Sequence, residues 1–193
     1  MDSKKEIRNT SYEVTVDSES RTVEGYALLF DTPSTGLPFV EVIERGSLEG
    51  VVAKSDVFAL LNHDQSRGIL ARSKKGHGSL SLTVDAKGLK YRFEAPNTAL
   101  GNELLENLKR GEVDSSSFAF TVEKDTWERG KDGKVKRTIQ KVSELYDVSP
   151  VYNAAYSQTS VYKRGMEALE EEERQANEMA LNTYFADIEN KFN

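Results

Sequence analysis

His63 closes the apolar alternation Val57, Ala59, Leu61 within the string Leu60-Leu61-Asn62-His63-Asp64. An imidazole at the end of a buried strand has a fixed orientation and little water around it, which suits a general base. A hydrogen-bonded structural histidine is the plainer use of the same position. The other imidazole, His77, lies in the glycine-flanked basic turn Lys74-Lys75-Gly76-His77-Gly78 and reads as exposed and inert. Ser115-Ser116-Ser117 leads into Phe118-Ala119-Phe120. Three serines there can be mere turn polarity, or one Oγ can be presented to a base, as covalent catalysis requires. Alternation favours Ser117: if Phe118 and Phe120 face the core, Ser117 shares the other face with the small Ala119.

An orienting group for such a histidine would be acidic. Asp147 interrupts the apolar strand Leu145-Tyr146-Asp147-Val148-Ser149. A carboxylate there needs a partner, and a histidine Nδ1–H is one. A surface-facing Asp on a half-exposed strand is the alternative. Asp64 adjoins His63, but neighbours on a strand point to opposite faces, so it is the poorer choice. Glycine-rich phosphate loops, zinc-protease helices and calcium loops are missing. The chain has no cysteine, which excludes disulfides, thiolate metal sites and thiol nucleophiles. Two histidines are too few for a poly-histidine metal site. What remains is a Ser-His-acid hypothesis on a β scaffold.

The elements that must hold these residues are mostly strands. Tyr12, Val14 and Val16 alternate with polar residues, the cluster Asp17 to Ser20 follows, and Val23, Gly25, Ala27 and Leu29 alternate again. That is the signature of an antiparallel hairpin. Leu80, Leu82 and Val84 repeat it through a turn at Asp85 to Gly88 into Leu89, Tyr91 and Phe93. Phe118, Phe120 and Val122 lead through Trp127 to the turn Gly130-Lys131-Asp132-Gly133, with strands predicted over Thr138 to Val142 and Leu145 to Val151. This spacing predicts an antiparallel β-barrel core flanked by helices, a mostly β (α+β) protein. Leu100, Leu104, Leu105 and Leu108 predict a helix over Ala99 to Arg110, capped by Thr98 and stopped by Gly111. A shorter helix is predicted over Ser47 to Ala53. From about Met166, Ala176, Ala180, Tyr184 and Ile188 mark an amphipathic C-terminal helix entered through Glu170 to Glu173.

Charge separates the same two parts. The 193 residues carry a net charge of -6, and all of it falls after Met166, where eight acids face two bases. The division is therefore a neutral body, residues 1–165, and an acidic helical tail, residues 166–193. A chain this acidic is a poor partner for nucleic acid, since counterion release needs clustered cations. No run approaches the ~18 apolar residues of a membrane span, and the opening MDSKKEIRNT lacks the apolar stretch of a signal peptide, so no membrane partner is expected.

Six strings in order resemble the prohead maturation proteases of tailed bacteriophages, serine proteases related in fold to herpesvirus assemblin. Val23-Glu24-Gly25-Tyr26-Ala27 with Phe30 is similar to the family's G-Y-A-x-x-F, and Glu41 to Leu48 to its E-x-I-x-x-G-A-F. Asn62-His63-Asp64 matches its N-H-D box, and Asn97-Thr98 through Gly111 its helix ending in a basic residue and Gly. Ser117-Phe118-Ala119-Phe120 resembles S-F-G-F. Leu145 to Val151 with Ala155-Tyr156 resembles L-x-E-V-S-x-V followed by P-A-Y. Departures near the candidate residues are Ala119 for Gly, Ser116 for an apolar residue, Asp147 for Glu, and Ala154 for Pro.

The resemblance implies a serine endopeptidase with Ser117 as nucleophile, His63 as base and Asp147 as the acidic member, using no cofactor. It implies action in the bacterial host cytoplasm, inside the immature capsid. The substrate would be a scaffold protein or a scaffold segment of the major capsid protein, and the enzyme itself would be another. A homodimer is compatible with this. The alternative is a non-catalytic capsid-assembly or scaffold-binding module of the same fold.

Overall fold

The computed structural model describes residues 4–10, 14–17, 19–34, 36–152 and 159–192. Tyr12 and the Ala154-Ala155-Tyr156 string lie outside the described residues. In chain order come β1 (Glu6–Thr10), β2 (Thr15–Asp17), β3 (Thr22–Leu29), β4 (Val40–Ile43), α1 (Val51–Lys54) and β5 (Asp56–Ala59). After a 3₁₀ turn at Gln65–Arg67 follow β6 (Ala71–Lys74), β7 (His77–Gly78), β8 (Leu80–Val84), β9 (Gly88–Glu94) and α2 (Ala99–Arg110). The chain continues with β10 (Ser115–Arg129), β11 (Val135–Val151) and α3 (Thr159–Phe192). Among the described residues no helix is long and apolar enough to cross a membrane.

The two hairpins form as their alternation predicts. β2 pairs β3 with Val16 opposite Val23, and β8 pairs β9 with Leu80 opposite Phe93 and Leu82 opposite Tyr91. In β3 the inward set shifts after Ala27. A bulge between Tyr26 and Leu28 turns Leu28 into the core and leaves Leu29 half-buried. α2 has the predicted ends: the Thr98 side chain accepts from Gly101 N–H, and Gly111 stops the helix at φ 71°.

The strands do not close into a barrel, which corrects the expected architecture. One sheet runs β1-β10-β11-β5-β6-β7 with β4 also on β11, and the other runs β2-β3-β9-β8. The fold is α+β with one mixed and one antiparallel sheet. Counting hairpins could not foresee this, because β4 and β5 each lie parallel to β11 along different stretches of it. β11 is one strand of 17 residues rather than two, and register shifts against β10 absorb the irregularity. The short helix starts late. Ser47 gives its carbonyl to Val142 N–H at 2.9 Å, so residue 47 is committed to β11 and α1 begins only at Val51.

The core between the sheets holds Val23, Leu28, Tyr91, Phe118, Phe120, Ile139 and Leu145, with Leu104 of α2 closing one end. A smaller cluster joins Phe39, Val135 and Trp127 to Met166 and Leu169 of α3. Beyond it the helix is exposed at Met179, Leu181 and Tyr184.

A buried ion network fixes β1. Arg8 Nη2 donates to Glu6 Oε2 and to Glu41 Oε2, each at 2.7 Å, and its Nε binds Glu41 Oε1. Arg137 donates to Glu6 at 2.6 Å, to Glu41 at 2.9 Å and to Asp125 at 2.6 Å. Removing one member of such a set strands its partners without water, a cost of about 3–5 kcal/mol. Because Glu6 and Arg8 must both reach it, β1 cannot slip by one residue.

Candidate active site

β10 carries its serines on opposite faces. Ser116 turns inward, where its Oγ lies 2.8 Å from the Tyr91 hydroxyl. Gly25 makes room for that pair, since a Cβ there would come within 2.9 Å of Tyr91 Oη and 3.1 Å of Ser116 Oγ. Burial pushes the Tyr91 phenol well above its usual value, so it stays a neutral hydroxyl. Ser117 takes the other face, opposite Asn9 on β1 and Ser149 on β11.

His63 reaches the same place by a turn. β5 lies parallel to β11 with Phe58 beside Asp147, and Leu60 N–H and Asn62 N–H continue the pairing to the carbonyls of Val148 and Pro150. An extended chain would carry residue 63 about 16 Å beyond Phe58. Instead Asn62 and His63 adopt left-handed backbone, φ 55° and 61°, and the chain doubles back. Such conformations cost a non-glycine residue about 1 kcal/mol or more, and they persist where surrounding contacts hold them. Asp64 accepts from Ser66 N–H at 3.0 Å and caps the 3₁₀ turn, so its carboxylate is engaged away from the ring.

The three residues singled out from sequence are brought together. His63 Nε2 lies 2.6 Å from Ser117 Oγ, and His63 Nδ1 lies 2.5 Å from Asp147 Oδ1. Ser117 Oγ is also 2.9 Å from the Arg8 carbonyl oxygen, so its single proton has two acceptors within reach. Ser149 Oγ donates to Asp147 Oδ1 at 2.8 Å and sits 3.2 Å from His63 Nδ1, and Lys5 Nζ donates to Asp147 Oδ2 at 3.1 Å. Burial pushes the Asp147 carboxyl up, but the His63 hydrogen bond and the charges of His63 and Lys5 outweigh it. The group therefore sits below the usual carboxylate value. Ser117 is fully buried and Asp147 nearly so, while 18% of the His63 side chain is open, making the imidazole the exposed edge of the cluster.

His77 stands apart, exposed on β7 opposite Lys74. Lys5, Ser149 and the Arg8 carbonyl are members that the sequence reading missed. Ser149 was within reach of it, because residues two apart on one strand share a face with Asp147. Lys5 lies 142 positions from its partner and carries no local signal.

A hydroxyl, an imidazole and a carboxylate hydrogen-bonded in series form the arrangement used by Ser-His-acid hydrolases. The chain belongs to the caudovirus prohead serine protease family, whose sequence profile matches residues 6–172. Among solved structures, the bacteriophage T4 capsid assembly protease is similar in fold, with a TM-score of 0.50 at 11% identity over 79% of this chain and 99% of that one. No curated protein matches the sequence.

Proposed function

We propose that the chain is a capsid-maturation endopeptidase in which Ser117 is the nucleophile, His63 the general base and then acid, and Asp147 the orienting carboxylate. The observation that carries this reading is the division of His63: one ring nitrogen meets a hydroxyl and the other a carboxylate. Asp147 accepts the Nδ1–H, which leaves the Nε2 lone pair for the serine proton. Ser117 Oγ then attacks the peptide carbonyl carbon while its proton passes to Nε2. Collapse of the tetrahedral adduct breaks the C–N bond, and Nε2 returns that proton to the departing amine. A water activated by the same nitrogen hydrolyses the acyl-serine ester. No step needs a metal or an organic cofactor.

Family membership supports a site of action inside the immature capsid, in the host cytoplasm. The substrate would be scaffold protein or a scaffold segment of the major capsid protein, and the chain itself would be a second target. Enclosure raises the effective substrate concentration, so a tight binding pocket is unnecessary. The body carries the site, and the acidic helix beyond the Leu169 contact serves docking or self-association, including a homodimer.

Incubating the full chain with scaffold, followed by gel and mass spectrometry, tests the reading. Discrete products that vanish with Ser117→Ala support it. Scaffold binding without any product would favour the non-catalytic assembly module instead.

A further inference from the structure

Alternate residues of β1 serve two different purposes. Glu6 and Arg8 enter the buried ion network, while Ile7 and Asn9 fall on the opposite face, the side on which Lys5, just before the strand, reaches Asp147. Asn9 lies opposite Ser117 and Ile7 opposite Ala119, and across the next ladder Ser117 meets Ser149 and Ala119 meets Asp147. The second face of β1 is thus the face of the sheet that carries the Ser117–His63–Asp147 cluster.

Resting on the triad reading above, we propose that Lys5 is a positioning residue of the active site. Its ammonium holds Oδ2 of Asp147, so that Oδ1 stays directed at His63 Nδ1. This makes the residue that leads into β1 part of the active site.

The carboxylate's two oxygens are used separately: Oδ1 takes His63 and Ser149, and Oδ2 takes Lys5. A buried carboxylate with one oxygen left dry would rotate or draw in water, and either change would loosen the bond to Nδ1. The Lys5 head also lies 5.2 Å from the centre of the Tyr146 ring, a second contact that fixes where it sits. The ion network supplies the register that lets Lys5 arrive there.

The same cation acts on the proton balance. It favours the ionised Asp147 and opposes a positive imidazole beside it. Three charges around the His63 turn have partners of their own. Asp56 of β5 pairs with Arg72 of β6, Asp64 with Ser66, and Arg67 of the 3₁₀ turn with Glu103 of α2. Lys5, in direct contact with Asp147, is the charge whose removal the His63–Asp147 pair should feel.

The test compares Lys5→Met and Lys5→Arg in the full chain. Cleavage kinetics are read across pH, and the His63 imidazole resonance is followed by NMR in a His77→Gln background, where it is the sole histidine signal. Lys5→Met should lower kcat about three- to tenfold with KM little changed, a modest effect because Lys5 is half-exposed. The acid-side midpoint of the imidazole should rise by about 0.3 unit or more at low salt and by less at high salt. Lys5→Arg should restore both. An unmoved midpoint with parental kcat overturns the proposal, as does an equal loss in the Met and Arg variants. A Ser117→Ala protein that still cleaves would sink the triad reading instead, while the imidazole titration would still report whether Lys5 acts on the pair.

Discussion

Ser117 and Ser149 stand opposite each other on β10 and β11, and one imidazole lies against both hydroxyls. Ser117 meets Nε2 at 2.6 Å, whereas Ser149 sits 3.2 Å from Nδ1 and donates to the carboxylate that this nitrogen faces. Two identical functional groups are thus set apart by which nitrogen they meet. In the proposed mechanism only Ser117 can hand its proton to the ring. Ser117→Ala should abolish scaffold cleavage without altering the fold. Ser149→Ala should retain cleavage at a rate lowered about tenfold, since it removes one of three partners of Asp147. Product formation on gels, with circular dichroism as a fold check, decides between them.

Ser116→Ala should remain active and lose about 1 kcal/mol of stability, because the buried Tyr91 hydroxyl is left without its partner. Chemical denaturation measures the loss. A dead Ser116 variant beside a live Ser117 variant would reverse the nucleophile assignment.

His63→Ala should be as inactive as the nucleophile variant, and His77→Ala should match the parent. The turn itself can be probed at Asn62. Asn62→Gly should be tolerated, whereas Asn62→Val should cost about 1–2 kcal/mol and most of the activity, because a branched residue resists positive φ. Equal activity in the Gly and Val variants would mean that this turn does not set the imidazole's position.

Acid should weaken the fold through two carboxylates. Burial raises the Glu6 carboxyl, but Arg137 and then Arg8 outweigh it, so like Asp147 it lies below the usual value. A group lowered in the folded state stabilises fully above its unfolded pKa, about 3.9 for Asp and 4.3 for Glu. That stabilisation is lost as pH falls from there through the folded value. Stability should therefore drop below about pH 4, and Glu6→Gln or Asp147→Asn should each flatten the drop. Asp147→Asn should also lower kcat by up to about 10⁴ while leaving residual cleavage, since an amide favours the wrong tautomer. Parental activity in Asp147→Asn would place the orienting group elsewhere.

Leu169→Ala should destabilise the body by about 2 kcal/mol, because that side chain closes the cluster of Phe39, Trp127 and Val135. Truncation after Arg174 should leave the body folded and cleaving, with altered self-association or packaging. An unfolded product would make the distal helix part of the core. Thermal unfolding and limited proteolysis separate these outcomes.

Hairpins, the α2 caps and the catalytic-type residues were legible in the sequence because each rests on local information: period two, a Thr98–Gly101 cap, an Asp within an apolar strand. The division into two open sheets was not, since it depends on β4 and β5 choosing β11 across long excursions. The buried cluster of Glu6, Arg8, Glu41 and Arg137 was not legible either, for nothing in their separate neighbourhoods marks them as one set. Lys5 was hidden for the same reason. Ser149 was missed although period two pointed to it.

The ladder between β1 and β10 also has a meaning in time. Arg8 precedes Ser117 by 109 positions, and Lys5 precedes Asp147 by 142. At a synthesis rate of about 5–20 residues per second, roughly 7–30 s separate the appearance of Lys5 from that of Asp147. Until β10 has been made β1 has no strand to pair with, and its two ionic residues wait longer still, for Arg137. A nascent chain that already carries Ser117 still lacks Asp147, the carboxylate that the proposed mechanism uses to align His63. Under the proposed mechanism chain topology alone defers the assembly of the site, and a chain released before residue 147 lacks one of its three members.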